Sequence, residues 1–144
     1  MKSINKNTAR RIVAASWLLA GLFAISAQAA MADALNLSGE QEVPPVTTAA
    51  TGTGSIAVAA DGSVTGLVTT LGLTGTAAHI HLGAAGANGP VIIPLTKATD
   101  NVWSVPPGTK LNANQLQAYR AGGLYVNVHT EANKGGEIRT QLKP

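Results

Sequence analysis

Leu124-Tyr125-Val126-Asn127-Val128-His129-Thr130 is the stretch that decides the fold. Successive side chains of a strand point to opposite faces. Val126 and Val128 therefore share one face, and Tyr125, Asn127 and His129 share the other. Branched valines favour extended backbone, and a period of two argues a half-buried strand. The same period runs through Ala77-Ala78-His79-Ile80-His81-Leu82, where Ala78, Ile80 and Leu82 oppose His79 and His81. It recurs in Glu137-Ile138-Arg139-Thr140-Gln141-Leu142, where Ile138 and Leu142 oppose Glu137, Arg139 and Gln141. With the aliphatic faces as core, all three histidines of the chain are expected to point outward from a polar face.

Working outward, the chain from Asp33 is rich in Val, Ile, Thr and Leu and is cut at short intervals by Gly and Pro. That punctuation predicts an all-β antiparallel sandwich. Strands are expected near Leu35–Glu42, Gly54–Ala60, Ser63–Leu71, Ala77–Leu82, Val91–Leu95, Leu124–Thr130 and Glu137–Leu142, with a short piece at Trp103–Val105. Asp61-Gly62 predicts a type I′ hairpin turn. Pro44-Pro45 and Pro106-Pro107 close strands, having no amide hydrogen for a ladder. One helix is expected over Ala113–Ala121, with Asn112 and Gln115 as a capping box and Gly122-Gly123 as the exit.

Residues 1–32 read as a secretory signal peptide: Lys2, Lys6, Arg10 and Arg11, then apolar Ile12 to Ile25, then small residues. Cleavage is expected after Ala29 or Ala32, leaving a domain over 33–144. Fourteen apolar residues fall short of the ~20 that a spanning helix needs. Arg10-Arg11 also fits a twin-arginine signal. These four cations account for the basic balance of the whole chain. From Ala30 onward six Lys or Arg face seven Asp or Glu, a net of −1, with three aromatics. Such a body lacks the basic face that nucleic acid requires. Its apolar content and low charge exclude disorder. The chain has no cysteine, so disulfides, lipid attachment and thiolate metal sites are all excluded, and the domain rests on its hydrophobic core alone.

The histidines carry the chemistry. Residues two apart on a strand are ~6.6 Å apart at Cα, from which two imidazoles can converge on one ion. His79 and His81 thus form half of a copper or zinc site, and His129 from another strand supplies a third nitrogen. Glu131 and Glu137 are candidates for a further ligand or a supporting partner, with nothing in the spacing to choose between them. Glu40 and Glu42 share a face of the first expected strand and read as solvated. The loop Gly83-Ala84-Ala85-Gly86-Ala87-Asn88-Gly89-Pro90 lacks Gly-Lys-Ser/Thr and leads into an extended segment, so it is a connection, not a phosphate cradle. No Gly-x-Ser-x-Gly occurs, and no catalytic constellation emerges.

Three ordered motifs resemble the CHRD domain, the module named from chordin. They are Ser38-Gly39-Glu40-Gln41-Glu42-Val43-Pro44-Pro45, then Ala78-His79-Ile80-His81-Leu82-Gly83 with Gly89-Pro90-Val91, then Leu124 to Thr130 with Gly136-Glu137-Ile138-Arg139. The likeness runs from about Leu35 to Leu142. Thr140 departs from it, since the family commonly has glycine after Ile-Arg. The resemblance implies an immunoglobulin-like, Greek-key sandwich and an exported location, periplasmic or extracellular; it implies little about activity. More distantly, His79, His81 and His129 are similar in order and setting to three copper ligands of the Cu/Zn superoxide dismutase sandwich. The dismutase's disulfide cysteines and further histidines have no counterpart here.

The expectation is an exported, non-enzymatic CHRD binding module that holds one copper or zinc ion, with an extracellular protein or matrix partner unspecified. Two rivals stand beside it. One is a structural or adhesive extracellular protein without metal; the other is a dismutase-like redox enzyme, which the ligand count disfavours. After signal cleavage no membrane or nucleic-acid partner is expected.

Overall fold

The computed structural model describes residues 33–144; the expected leader over 1–32 and its cleavage points lie outside the described residues. The strands are β1 (Leu35–Ser38), β2 (Thr51–Val58), β3 (Val64–Leu71), β4 (Gly75–Leu82), β5 (Val91–Pro94), β6 (Thr96–Thr99), β7 (Val102–Ser104), β8 (Leu124–Thr130) and β9 (Ile138–Gln141), with helix α1 (Ala113–Arg120) before β8. They form one antiparallel sheet in the order β5-β4-β8-β9-β1-β2-β3-β7-β6. Its two edge strands, β5 and β6, are consecutive in the chain and separated by Leu95 alone. The Leu95 amide donates to the Ala78 carbonyl of β4 at 2.9 Å. The sheet thus curls over on itself until it is nearly closed, as the expected all-β class requires.

The enclosed space is filled by the aliphatic faces that the sequence pattern marks. Leu37, Ile56, Val68, Ile80, Val126, Val128 and Ile138 pack there with Trp103. Helix α1 packs Leu116, Ala118 and Tyr119 against this core and carries both expected caps. The Gln115 amide donates to Asn112 Oδ1 and the Asn112 amide to Gln115 Oε1, each at 2.9 Å. At its exit the Gly122 and Gly123 amides reach back to the Tyr119 and Ala118 carbonyls, with Gly122 in the left-handed region at φ +72°. That is a Schellman ending. Tyr119 is buried and its hydroxyl donates to the Lys143 carbonyl at 2.8 Å, fastening the C-terminal segment.

Three local expectations are corrected. The first strand stops at Ser38, and a 3-10 turn over Gly39–Gln41 replaces its second half, so Glu40 and Glu42 do not share a strand face. The Asp61-Gly62 hairpin has a three-residue loop, closed by Gly62 N–H to Ala59 O and Ala59 N–H to Ser63 O. Gly62 takes the left-handed position (φ +89°), which gives a type I turn with a bulge in place of type I′. The third concerns the polar faces. β2 and β3 alternate as a sheet with one side in water does, but β8 is buried along all seven residues. The face expected to be solvated is roofed by the segment after β1 and the loops 83–90 and 131–136.

Candidate metal centre

Register brings the histidines together. β4 and β8 pair so that His79 lies opposite Asn127, His81 opposite Tyr125, and Ala77 opposite His129. On this face His129 is therefore diagonal to His79, and His81 lies two residues farther along β4. One ligand nitrogen from each of the three rings lies within 4.8 Å of the others. Imidazoles that hold an ion tetrahedrally at 2.0–2.1 Å have their nitrogens about 3.3 Å apart. Ring movements on the order of 1 Å would bring the three into such a set.

Hydrogen bonding fixes which nitrogens are free. His129 Nδ1 lies 2.9 Å from the Lys134 carbonyl, and His81 Nδ1 lies 2.9 Å from the Gly89 carbonyl. A carbonyl only accepts, so both Nδ1 atoms carry the proton and both Nε2 atoms present a lone pair. His129 Nε2 meets His79 Nδ1 at 2.9 Å, where His79 donates. His81 Nε2 is buried and has no partner. An unpartnered buried acceptor costs free energy that a ligand can recover. Imidazoles whose second nitrogen donates to a backbone carbonyl are the arrangement metal ligands usually show. Burial first, then the neighbouring His129 and His81, holds His79 below the usual histidine range. Burial does the same for His129, against the raising effect of the Lys134 carbonyl. Neutral imidazole is the form that binds a metal.

The outward-facing expectation is corrected here. His81 and His129 are only 7% and 9% exposed, and His79 is half-buried. The His81 ring stacks on Tyr125, centroids 4.6 Å apart and planes 6° from parallel. Its removal would therefore disturb packing.

The structure places the two candidate acids outside the imidazole cluster. Glu131 is exposed and pairs with Lys134 at 3.1 Å. The Glu137 carboxylate accepts from the hydroxyls of Thr130 (2.6 Å) and Thr48 (2.8 Å) and from Asn133 Nδ2 (3.3 Å). Those bonds, led by Thr130, lower its pKa and tie the 131–136 loop to the segment before β2.

Sequence reading missed the groups that surround the imidazoles. Tyr125, Asn127 and Arg139 fall on the correct face by alternation, but their burial depends on the loops above them. Glu42 gave no signal: it is 4% exposed, its Oε1 is unpartnered, and burial pushes its pKa up to about 7 despite the Arg139 charge nearby.

A nearly closed antiparallel sheet, roofed on one polar face, defines an all-β domain whose three gathered imidazoles are near enough to one another that they could hold a metal ion. The family model described as the CHRD domain matches residues 34–142, and the chain belongs to that family. The three motifs quoted above supply the parts of this face: the segment after β1, strand β4 with its loop, and β8 with β9. Neither the curated proteins nor the solved structures contain a match, and the likeness to the dismutase sandwich gains no support from them. CHRD domains occur in secreted proteins. No helix among the described residues is long and apolar enough to cross a membrane.

Proposed function

We propose that this CHRD domain is an exported, non-enzymatic binding module that holds one copper ion through His81 Nε2, His129 Nε2 and one ring nitrogen of His79. The observation that carries the reading is the buried, unpartnered His81 Nε2 beside two further imidazole nitrogens, with His81 and His129 oriented by backbone carbonyls. A set of neutral imidazoles suits copper and zinc, and the general affinity order favours copper. His81 and His129 each meet a backbone carbonyl through Nδ1, and the Glu131 and Glu137 carboxylates are engaged in pairing and loop tethering. The reading is therefore capture or carriage of the ion, not turnover. Export rests on the basic, apolar and small-residue order of residues 1–32.

The test is the metal content and intact mass of the protein recovered from the exported fraction. The proposal expects a chain beginning at Ala30 or Asp33, about one copper per chain after exposure to the ion, and no dismutase turnover above that of unrelated carrier protein. A metal-free chain that takes up neither copper nor zinc would favour a structural or adhesive role and overturn the proposal.

A further inference from the structure

Arg139 on β9 is 1% exposed, yet among the described residues no carboxylate pairs with it. Burying a cation without a counter-ion is costly unless its donors are well used. The hydrogen bonds of its side chain go to one loop: Nη2 donates to the Ala87 carbonyl at 2.8 Å and the Ala84 carbonyl at 3.3 Å, and Nη1 to Asn88 Oδ1 at 3.2 Å. Its guanidinium carbon sits 3.3 Å from the centroid of the Tyr125 ring.

Both of those attachments lead to the same imidazole. The 83–90 loop carries Gly89, whose carbonyl accepts from His81 Nδ1, and the Gly89 amide donates to the Tyr125 hydroxyl at 3.2 Å. The Tyr125 ring is the surface on which His81 stacks. His79 and His129 are held differently, by each other and by the Lys134 carbonyl. Arg139 therefore secures the hydrogen-bond acceptor and the stacking surface of one imidazole out of three.

We infer that Arg139 is a positioning residue for His81: it fixes the ring's orientation and tautomer, and through them the third nitrogen of the metal set. The inference deepens the metal reading and, for its consequence on affinity, rests on it. Lysine keeps the charge but has neither the fork that spans the loop acceptors nor the flat face that covers Tyr125.

The test is a double-mutant cycle in the exported protein, read by copper affinity, together with ¹⁵N NMR of the imidazoles in metal-free protein. Arg139→Lys should weaken copper binding about 10- to 100-fold, the usual effect of losing an outer support of a ligand. In the background of His81→Ala it should weaken binding no further, whereas with His79→Ala the two losses should multiply. Without metal, Arg139→Lys should shift His81 away from the Nδ1–H tautomer and leave His129 unchanged. Equal multiplication with both histidine variants, or an unaltered His81 tautomer, would overturn the inference. Should Arg139→Lys lose its β circular dichroism, Asn88→Ala, which removes one acceptor of the guanidinium and the loop's bond to the Val43 carbonyl, should shift the same tautomer. A wild type that takes up no copper refutes the metal reading alone, and the tautomer measurement then decides the positioning role.

Discussion

Glu42 shows most clearly what a single side chain can do to this domain. Its Oε1 and the Asn127 Oδ1 are both buried without a partner. Gly136, at φ +132°, passes so close that a side chain there would run into Glu42 Oε1 and Asn127 Nδ2. Desolvation outweighs the attraction of Arg139, so the folded pKa of about 7 stands above the ordinary 4.5. Between those values the folded protein binds the extra proton, and stability falls as pH rises across that window. His79 and His129 act with the opposite sign. Their lowered values withhold stability as pH drops below the ordinary histidine value of about 6.5. Glu42→Gln separates the two effects. In urea unfolding it should gain on wild type progressively from pH 5 to pH 8, by about 1–3 kcal/mol at the top. An equal effect of the substitution at both ends would contradict this account of Glu42. Nothing in the sequence marks Glu42 as buried, because the segment that carries it leaves the strand pattern at Gly39.

At the level of elements, legibility followed periodicity. β4, β8 and β9 were readable because aliphatic and polar residues alternate in them, and α1 because both of its caps are written in residue types with specific hydrogen bonds. β6 was missed: Thr96-Lys97-Ala98-Thr99 is exposed throughout and offers no apolar face to read. The burial of β8 on both sides was not readable either, since the groups that roof it come from the segment after β1 and the loop 83–90 as well as from the 131–136 connection to β9. The consequence for stability is concentrated in that strand. Val126 and Val128 are fully buried on its core side, and Val126→Ala leaves a cavity there. It should lower the unfolding free energy by about 2 kcal/mol with an unchanged urea slope. A loss within a few tenths of a kcal/mol would show that the sheet does not close around this strand as described.

For the whole molecule, one curled sheet creates two interiors of different character. The enclosed side is aliphatic and holds the domain together without any disulfide. The roofed side is polar and holds three imidazoles, a tyrosine, an asparagine, a glutamate and an unpaired arginine. The histidines were identifiable from sequence as a set, but that they converge depends on the β4–β8 register and on three loops that no local pattern predicts. The central claim is that these imidazoles form one site. Calorimetric copper titration of wild type, His79→Ala, His81→Ala and His129→Ala, each first checked for folded circular dichroism, tests it most directly. The account predicts one ion per wild-type chain, weaker uptake below about pH 6.5 as protons compete for ligand nitrogens, and at least a tenfold loss in every folded single variant. Uptake of copper by any folded single variant with the stoichiometry and affinity of wild type would contradict it.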